Sequence, residues 1–277
     1  MAIEPSTVLL TRRVSFSSGH RYWFDERSLE ENRKFFGIYA SRFNHGHNYI
    51  LDVTVKGDTD RKTGMVVNIK DIDDVLQERL VDRFDLKSLN DEVSELKGVI
   101  PCLENLMKLI WADLSSPGVL PPECQITALR LEEMPTFYGE MDMKSTTLTR
   151  LYEFAASHRL HVSSMSDEQN VEMFGKCNNP SGHGHNYVLE VTISGEMDPT
   201  TGMMTDLMAL DDKINELVVD RYDHKNLNED LPEFKGRPTT SEQVVLEIFK
   251  RLDGHIPAQL ERVRLHETAR SFFEVAR

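Results

Sequence analysis

Cysteine is scarce in this sequence: Cys102, Cys124 and Cys177 are the only three in 277 residues. They are too few and too oddly placed for a disulfide framework, so each is read as a free thiol. No apolar run approaches the roughly 18–20 residues that a membrane span needs. The opening MAIEPSTVLL lacks the basic start and apolar centre of a signal peptide, and the expectation is a cytoplasmic protein. Basic residues are also short, with 32 Lys and Arg against 46 Asp and Glu and a formal net charge of −14. That balance argues against general binding to nucleic acid or to anionic membranes, but not against a small anionic substrate, which responds to local charge. A GxGxxG-type segment is missing as well, so nothing points to a nicotinamide cofactor.

What the sequence does contain, it contains twice. HGHNY occurs at 45–49 and again at 183–187, and His20 and His158 keep the same separation of 138 residues. At that offset TGM (63–65) meets TGM (201–203), VDRFD (81–85) meets VDRYD (219–223), and Leu89-Asn90 meets Leu227-Asn228. Near the end the offset falls to 134, where Glu133 of LRLEEM meets Glu267 of VRLHET, so SSPGVLPPECQ carries an extra loop in the first copy. A period this long means tandem domains, not a solenoid of short repeats. Domains are expected at 1–143 and 147–277, with GEMDMKST as the junction. Each is long enough to bury its own core, and 39% hydrophobic with 28% charged residues is ordinary for a globular protein.

Within the second copy, LTRLYEFAASH alternates apolar and polar residues and reads as a half-buried strand ending near His158. NYVLEVTISGE repeats the alternation, and DPTTGM supplies turn residues. MALDDKINELVVDRY changes to helical spacing, with Leu210, Ile214, Leu217 and Val218 on one face. SEQVVLEIFKRL predicts a second amphipathic helix capped by Thr240 or Ser241, and LERVRLHET predicts a closing strand. The pattern is β-β-α-α-β, an α+β fold.

His183 and His185 stand two apart at the start of a strand and so face the same side, with His158 at the end of the preceding strand. Three imidazoles without a fourth protein ligand form the pattern of an open catalytic zinc site. An HxH pair alone is as readily a surface pair, but here the whole triad recurs as His20, His45 and His47, which favours metal in both copies. Cys177 lies six residues before His183 on the intervening loop. A lone cysteine is commonly a small buried apolar residue, whereas zinc and Lys176 nearby would favour a thiolate able to act as base or nucleophile. Asp223 and His224 form either a helix-end charge cluster or an oriented proton-transfer pair. The first copy has Tyr39 and Leu86 in place of Cys177 and His224 while keeping Asp85. Leucine carries no proton, so the first copy reads as a metal-bearing shell, unless Tyr39 serves as an alternative acid.

Taken together, GKCNNPSGHGHNY, GEMDPTTGM, DHKNLN and the final HET resemble the 6-pyruvoyltetrahydropterin synthase family with its Cys-x5-His-Gly-His pattern. The resemblance covers essentially all of the second copy and, more weakly, the first. It implies tandem tunnelling-fold (T-fold) domains, each a four-stranded antiparallel sheet with two helices, assembling three at a time into β-barrels that stack in pairs. It further implies zinc on His158, His183 and His185, Cys177 as general base with His224 and Asp223, and Glu267 anchoring the pterin with Thr240 and Ser241 nearby. PCLEN replaces TTSEQ in the first copy, which weakens or removes pterin binding there even though Glu133 remains. The implied activity is that of a carbon–oxygen lyase: conversion of 7,8-dihydroneopterin triphosphate to 6-pyruvoyltetrahydropterin with loss of triphosphate, a step served by magnesium. The related 6-carboxytetrahydropterin synthase of the queuosine pathway has a shorter Cys-x3-His-Gly-His loop, so five intervening residues favour the pyruvoyl product. A branch with a glutamate between Cys and HGH ranks third, since Pro180 and Ser181 offer no such group. A zinc-stabilised pterin-binding protein without turnover is the remaining alternative. Because the family draws the Asp-His pair from the neighbouring domain, the expectation is a homotrimer of chains, with second copies forming one barrel and first copies the other.

Overall fold

The computed structural model describes residues 7–277, so the opening six residues of MAIEPSTVLL lie outside the described residues. The chain separates into two compact units, one running to residue 148 with 196–206 added, the other comprising 149–195 and 207–277.

In chain order the first unit holds β1 (Thr7–His20), α1 (Leu29–Phe36), β2 (His45–Asp58), α2 (Ile69–Leu76), α3 (Asp82–Phe84), β3 (Lys87–Ser88), α4 (Leu89–Glu92), α5 (Leu103–Leu114), β4 (Cys124–Met134) and β5 (Phe137–Asp142). The sheet runs β5-β4-β2-β1-β3, with β1, β2, β4 and β5 antiparallel and β3 added parallel to β1. Alternation decides which face is buried. Tyr49, Leu51, Val53 and Val55 are all buried on one side of β2, against a helical layer that contributes Leu106, Met107 and Ile110. Each such side chain contributes about 1.5–3 kcal/mol of apolar burial.

The second unit repeats the design with β6 (Thr146–His158), α6 (Asp167–Phe174), β7 (His183–Ser194), α7 (Leu207–Ile214), α8 (Asp220–Tyr222), β8 (Lys225–Asn226), α9 (Ser241–Leu252), β9 (Gln259–Thr268) and β10 (Ser271–Ala276). Its strand order is β10-β9-β7-β6, and β8 pairs parallel to β6. The α+β reading holds. The structure departs from the sequence pattern in three respects. First, α1 and α6 occupy what the alternation leaves as loop. They are eight residues long and bury little, but each starts on a capping box, Ser28 with Glu31 and Ser166 with Gln169. Second, β5 and β10 follow the strands taken as closing. Third, Thr240 takes the N-cap position of α9 but its hydroxyl caps nothing, and that of Ser241 is bonded elsewhere. The extra loop of the first copy falls between Leu114 and Cys124, as the shift in offset requires.

A five-residue π-helical turn follows α2 (Gln77–Val81) and another follows α7 (Asn215–Val219). Ile72, Leu76, Leu80 and Phe84 are all buried, as are Leu210, Ile214, Val218 and Tyr222, and each set is spaced by four. An ordinary α-helix advances about 40° beyond a full turn every four residues, so the fourth member would leave the core. The wider π turn absorbs that drift. It therefore delivers Asp85-Leu86 and Asp223-His224 at a fixed point on the rim of the sheet.

The junction between the copies is a tight turn, in which the Asp142 carboxylate accepts from the Lys144 and Ser145 N–H groups at 2.7 and 2.8 Å. The duplicated TGM turns make a built-in comparison. Gly64 and Gly202 have φ of +73° and +77°, but a Cβ on Gly64 meets nothing, whereas one on Gly202 would sit 2.2 Å from the Asn105 side chain. Gly64→Ala is expected to cost about 1–2 kcal/mol from the left-handed backbone alone, and Gly202→Ala about 1–3 kcal/mol more from overlap. Denaturant midpoints of the two variants check this, and equal losses would contradict the packing at Asn105. Among the described residues no helix is long and apolar enough to cross a membrane.

Candidate metal centre and its surroundings

The register of β1 and β2 pairs His20 with His45 and Ser18 with His47, so strand geometry alone gathers three imidazoles. Their ring centroids lie 4.5, 5.1 and 5.0 Å apart, and those of His158, His183 and His185 lie 4.6, 5.2 and 5.0 Å apart. In each triad one nitrogen per residue falls within 4.8 Å of the others.

Hydrogen bonds settle the tautomers. His158 Nδ1 lies 2.7 Å from the Thr239 carbonyl oxygen and His20 Nδ1 2.8 Å from that of Pro101. A carbonyl only accepts, so each Nδ1 carries the proton and each Nε2 presents a lone pair. Among the described residues the buried nitrogens His158 Nε2, His185 Nε2 and His183 Nδ1 have no hydrogen-bond partner, nor do His20 Nε2 and His47 Nε2. Orphaned buried acceptors converging from three sides fit a metal cation with nitrogen preference. Burial lowers the pKa of His158 and His185, and it holds His20 at about 3 and His47 at about 4. These four rings are thus neutral, the form that ligates.

Behind the second triad stands Glu267, whose Oε1 is 3.8 Å from both His158 Nε2 and His185 Nε2 and accepts from Ser241 Oγ at 2.7 Å. The first copy keeps Glu133, 3.6 Å from His47 Nε2, but buried Leu103 replaces the serine. PCLEN does other work there: Glu104 accepts from the Met204 N–H at 2.8 Å, and Asn105 donates to the Thr201 carbonyl at 3.0 Å. Burial raises the pKa of Glu104. Thr240 is half-buried next to Ser241.

Cys177 is half-buried in the 3₁₀ turn Gly175–Asn178, and its carbonyl accepts from Leu160 N–H at 2.9 Å, two residues past His158. That bond ties the cysteine loop to the end of the strand bearing the triad. His224 has φ of +56°, and its side chain is 82% exposed. Its Nδ1 lies 2.7 Å from Asp223 Oδ2, while Asp223 Oδ1 accepts from Ala155 N–H at 2.7 Å and His224 N–H donates to Ala155 O at 2.6 Å. The Ala155 N–H, followed by His224, holds the Asp223 carboxyl below its ordinary range. Among the described residues no hydrogen bond or ion pair joins His224 to Cys177.

Sequence reasoning missed four contributors. The Thr239 carbonyl orients His158, and a backbone atom leaves no signature. Asn178, buried after Cys177, accepts from Arg159 and lies 3.1 Å from His161 Nδ1. Tyr187 and Tyr49 are buried beside the triads, and the fifth letter of the repeated HGHNY could have revealed them.

A histidine triad on adjoining strands, backed by a carboxylate, recurs in both halves of a duplicated α+β protein, and each triad could hold a metal ion. The profile described as 6-pyruvoyl tetrahydropterin synthase matches it twice, over residues 9–143 and 147–277, and the chain belongs to that family. It is 46% identical over 122 residues to a 6-pyruvoyl tetrahydrobiopterin synthase of Poecilia reticulata, covering 44% of this chain and 83% of the relative. A putative 6-pyruvoyl tetrahydrobiopterin synthase of Caenorhabditis elegans is 44% identical over 133 residues, covering 47% of this chain and 94% of the relative. The solved structure of the Caenorhabditis elegans 6-pyruvoyl tetrahydropterin synthase has 44% identity, covers 47% of this chain and 94% of its own, and gives a TM-score of 0.45.

Proposed function

We propose that the second copy converts 7,8-dihydroneopterin triphosphate to 6-pyruvoyltetrahydropterin with release of triphosphate. The observation that carries this reading is the contrast between the copies. Both gather a triad of histidines, but only the second adds Cys177, the Asp223–His224 pair and a Glu267 carboxylate held by Ser241. His158, His183 and His185 would hold zinc, whose chemistry when bound is to polarise the side-chain hydroxyl oxygens and acidify the neighbouring C–H bonds. Glu267 receives the guanidine-like edge of the pterin. Cys177 takes a proton from the side chain, and His224, oriented by Asp223, returns or relays one. Reducing equivalents move from the side chain into the ring, so no external reductant enters. Magnesium would accompany the triphosphate.

We assign the first copy a zinc-holding, non-catalytic role at His20, His45 and His47. The pair at the exposed rim, unconnected to Cys177, also supports a homo-oligomer in which a neighbouring domain completes each site. A stable monomer by mass in solution would contradict that assembly. The direct test incubates zinc-analysed protein with 7,8-dihydroneopterin triphosphate and magnesium and identifies the product by mass. A 6-pyruvoyl product with free triphosphate supports the reading. A 6-carboxy product, or bound zinc with no turnover, overturns it in favour of the queuosine-type reaction or of a binding protein.

A further inference from the structure

The duplication supplies an internal control for each position, and it singles out Arg159. Its counterpart Arg21 is saturated: the terminal nitrogens donate to Asp91 at 2.7 and 2.8 Å and to Asn44 at 3.0 Å, and Asp25 lies at 3.6 Å. At the matching positions of the second copy stand Glu229, Gly182 and Ser163. Arg159 spends its Nε on the Asn178 carbonyl and side-chain oxygen, at 3.1 Å each, and no carboxylate pairs with its guanidinium among the described residues.

This arginine borders a groove of about 890 Å³ within the second unit, reaching from Pro180 and Gly182 past His161, Ser163 and Ser164 to Lys235 and Arg237. The first copy has Trp23, Asp25, Glu26 and Val99 where the second has His161, Ser163, Ser164 and Arg237. Two carboxylates are removed, one guanidinium is gained at Arg237 while another is lost where Pro180 replaces Arg42, and that of Arg159 is released from the ion pairs its counterpart makes. All of these changes fall on one groove of a chain whose net charge is −14. Glu229 and Asp230 remain at its edge, where Asp230 accepts from Asn226 N–H at 2.8 Å, and Arg237 donates through Nη2 to Gln243 at 2.7 Å and through Nη1 stands 3.8 Å from the Glu247 carboxylate. The groove starts at the cysteine loop: Asn178 follows Cys177, and the His158 carbonyl oxygen stands 3.1 Å from where a Cβ on Gly182 would be. A larger residue there would push the loop off the histidine strand.

We propose that this groove holds the triphosphate of the substrate, with Arg159 as its principal phosphate-binding residue. The proposal rests on the activity assigned above and extends it. A guanidinium with both terminal nitrogens uncommitted offers the two-pronged donor that a phosphate oxygen pair accepts, and a positive site in an acidic chain focuses an anion toward the adjoining histidines.

The test uses the zinc-loaded full chain and reads two quantities: calorimetric binding of inorganic tripolyphosphate with magnesium, and kcat and KM for 7,8-dihydroneopterin triphosphate. Ser163→Asp restores the carboxylate that the first copy carries at Asp25 on an exposed loop, and Arg237→Val restores its Val99, so both changes have a precedent in this fold. Each is expected to weaken tripolyphosphate binding and raise KM by about ten-fold, and Arg159→Gln by about a hundred-fold, with kcat changed less than about three-fold. Unchanged tripolyphosphate binding in Ser163→Asp and Arg159→Gln would overturn the proposal, as would a wild-type protein that turns over substrate but ignores tripolyphosphate. A wild-type protein that binds tripolyphosphate through these residues without turnover would support the anion groove while refuting the assigned activity.

Discussion

Replacing Cys177 by alanine is expected to lower turnover of 7,8-dihydroneopterin triphosphate by about 10²–10⁴-fold, the usual contribution of a positioned proton-transfer group. Zinc content and fold should not change. The thiol is half-buried on a short 3₁₀ turn, and what holds the turn against the histidine strand is its backbone carbonyl, bonded to Leu160 N–H at 2.9 Å. Alanine keeps that bond. The triad takes its orientation from the Thr239 carbonyl and not from the cysteine, so metal stoichiometry by atomic emission should match wild type. Turnover within about ten-fold of wild type would remove Cys177 from the role of base. Loss of zinc together with activity would make it a ligand instead.

The second large effect separates the copies. His158→Ala is expected to lower zinc from two ions per chain to one and to reduce turnover by more than about 10³-fold, since a metal's polarisation of an oxygen is worth several kcal/mol. His45→Ala, at the equivalent of His183, should lose one zinc as well yet keep turnover within a few-fold. The reason lies in what surrounds each triad: Ser241 braces Glu267 in the second copy, whereas Leu103 fills the space in the first and PCLEN is committed to Met204 and Thr201. Zinc analysis, circular dichroism and product formation on both variants decide the matter. Equal losses of turnover would mean that the first copy takes part in the reaction.

The candidate site was legible wherever a side chain recurred at a fixed offset. The two histidine triads, Asp85 with Asp223, and Glu133 with Glu267 could be read because duplication removes coincidence as an explanation. The substitutions Tyr39 for Cys177 and Leu86 for His224 were legible for the same reason. The Thr239 carbonyl was not, because any residue could supply it. Nor was the release of Arg159, because Glu229 keeps a carboxylate at the position of Asp91 and only the folded structure shows that, among the described residues, it makes no pair with Arg159. The fold read well where periodicity was long, as in β6, β7 and α9. It failed for α6, whose eight residues leave Val171 and Met173 exposed and so carry no helical stripe. The π turns were hidden too, since a spacing of four looks like an ordinary helix until four buried residues in succession have to share one face.

Leu86 has the same φ of +56° as His224 and is equally exposed. Leucine gains nothing from a left-handed backbone, which costs it on the order of 1 kcal/mol. The shape is imposed from outside: Asp85 Oδ1 accepts from Ser17 N–H at 2.7 Å, and Leu86 N–H donates to Ser17 O at 2.6 Å, copying the clamp on Ala155. A backbone pose thus outlives the side chain that used it. The two halves of this protein differ in the chemistry they display and hardly at all in the scaffold that displays it, so the first half keeps the clamp with no imidazole on it. Its strained leucine marks the socket in which an imidazole would already be aimed.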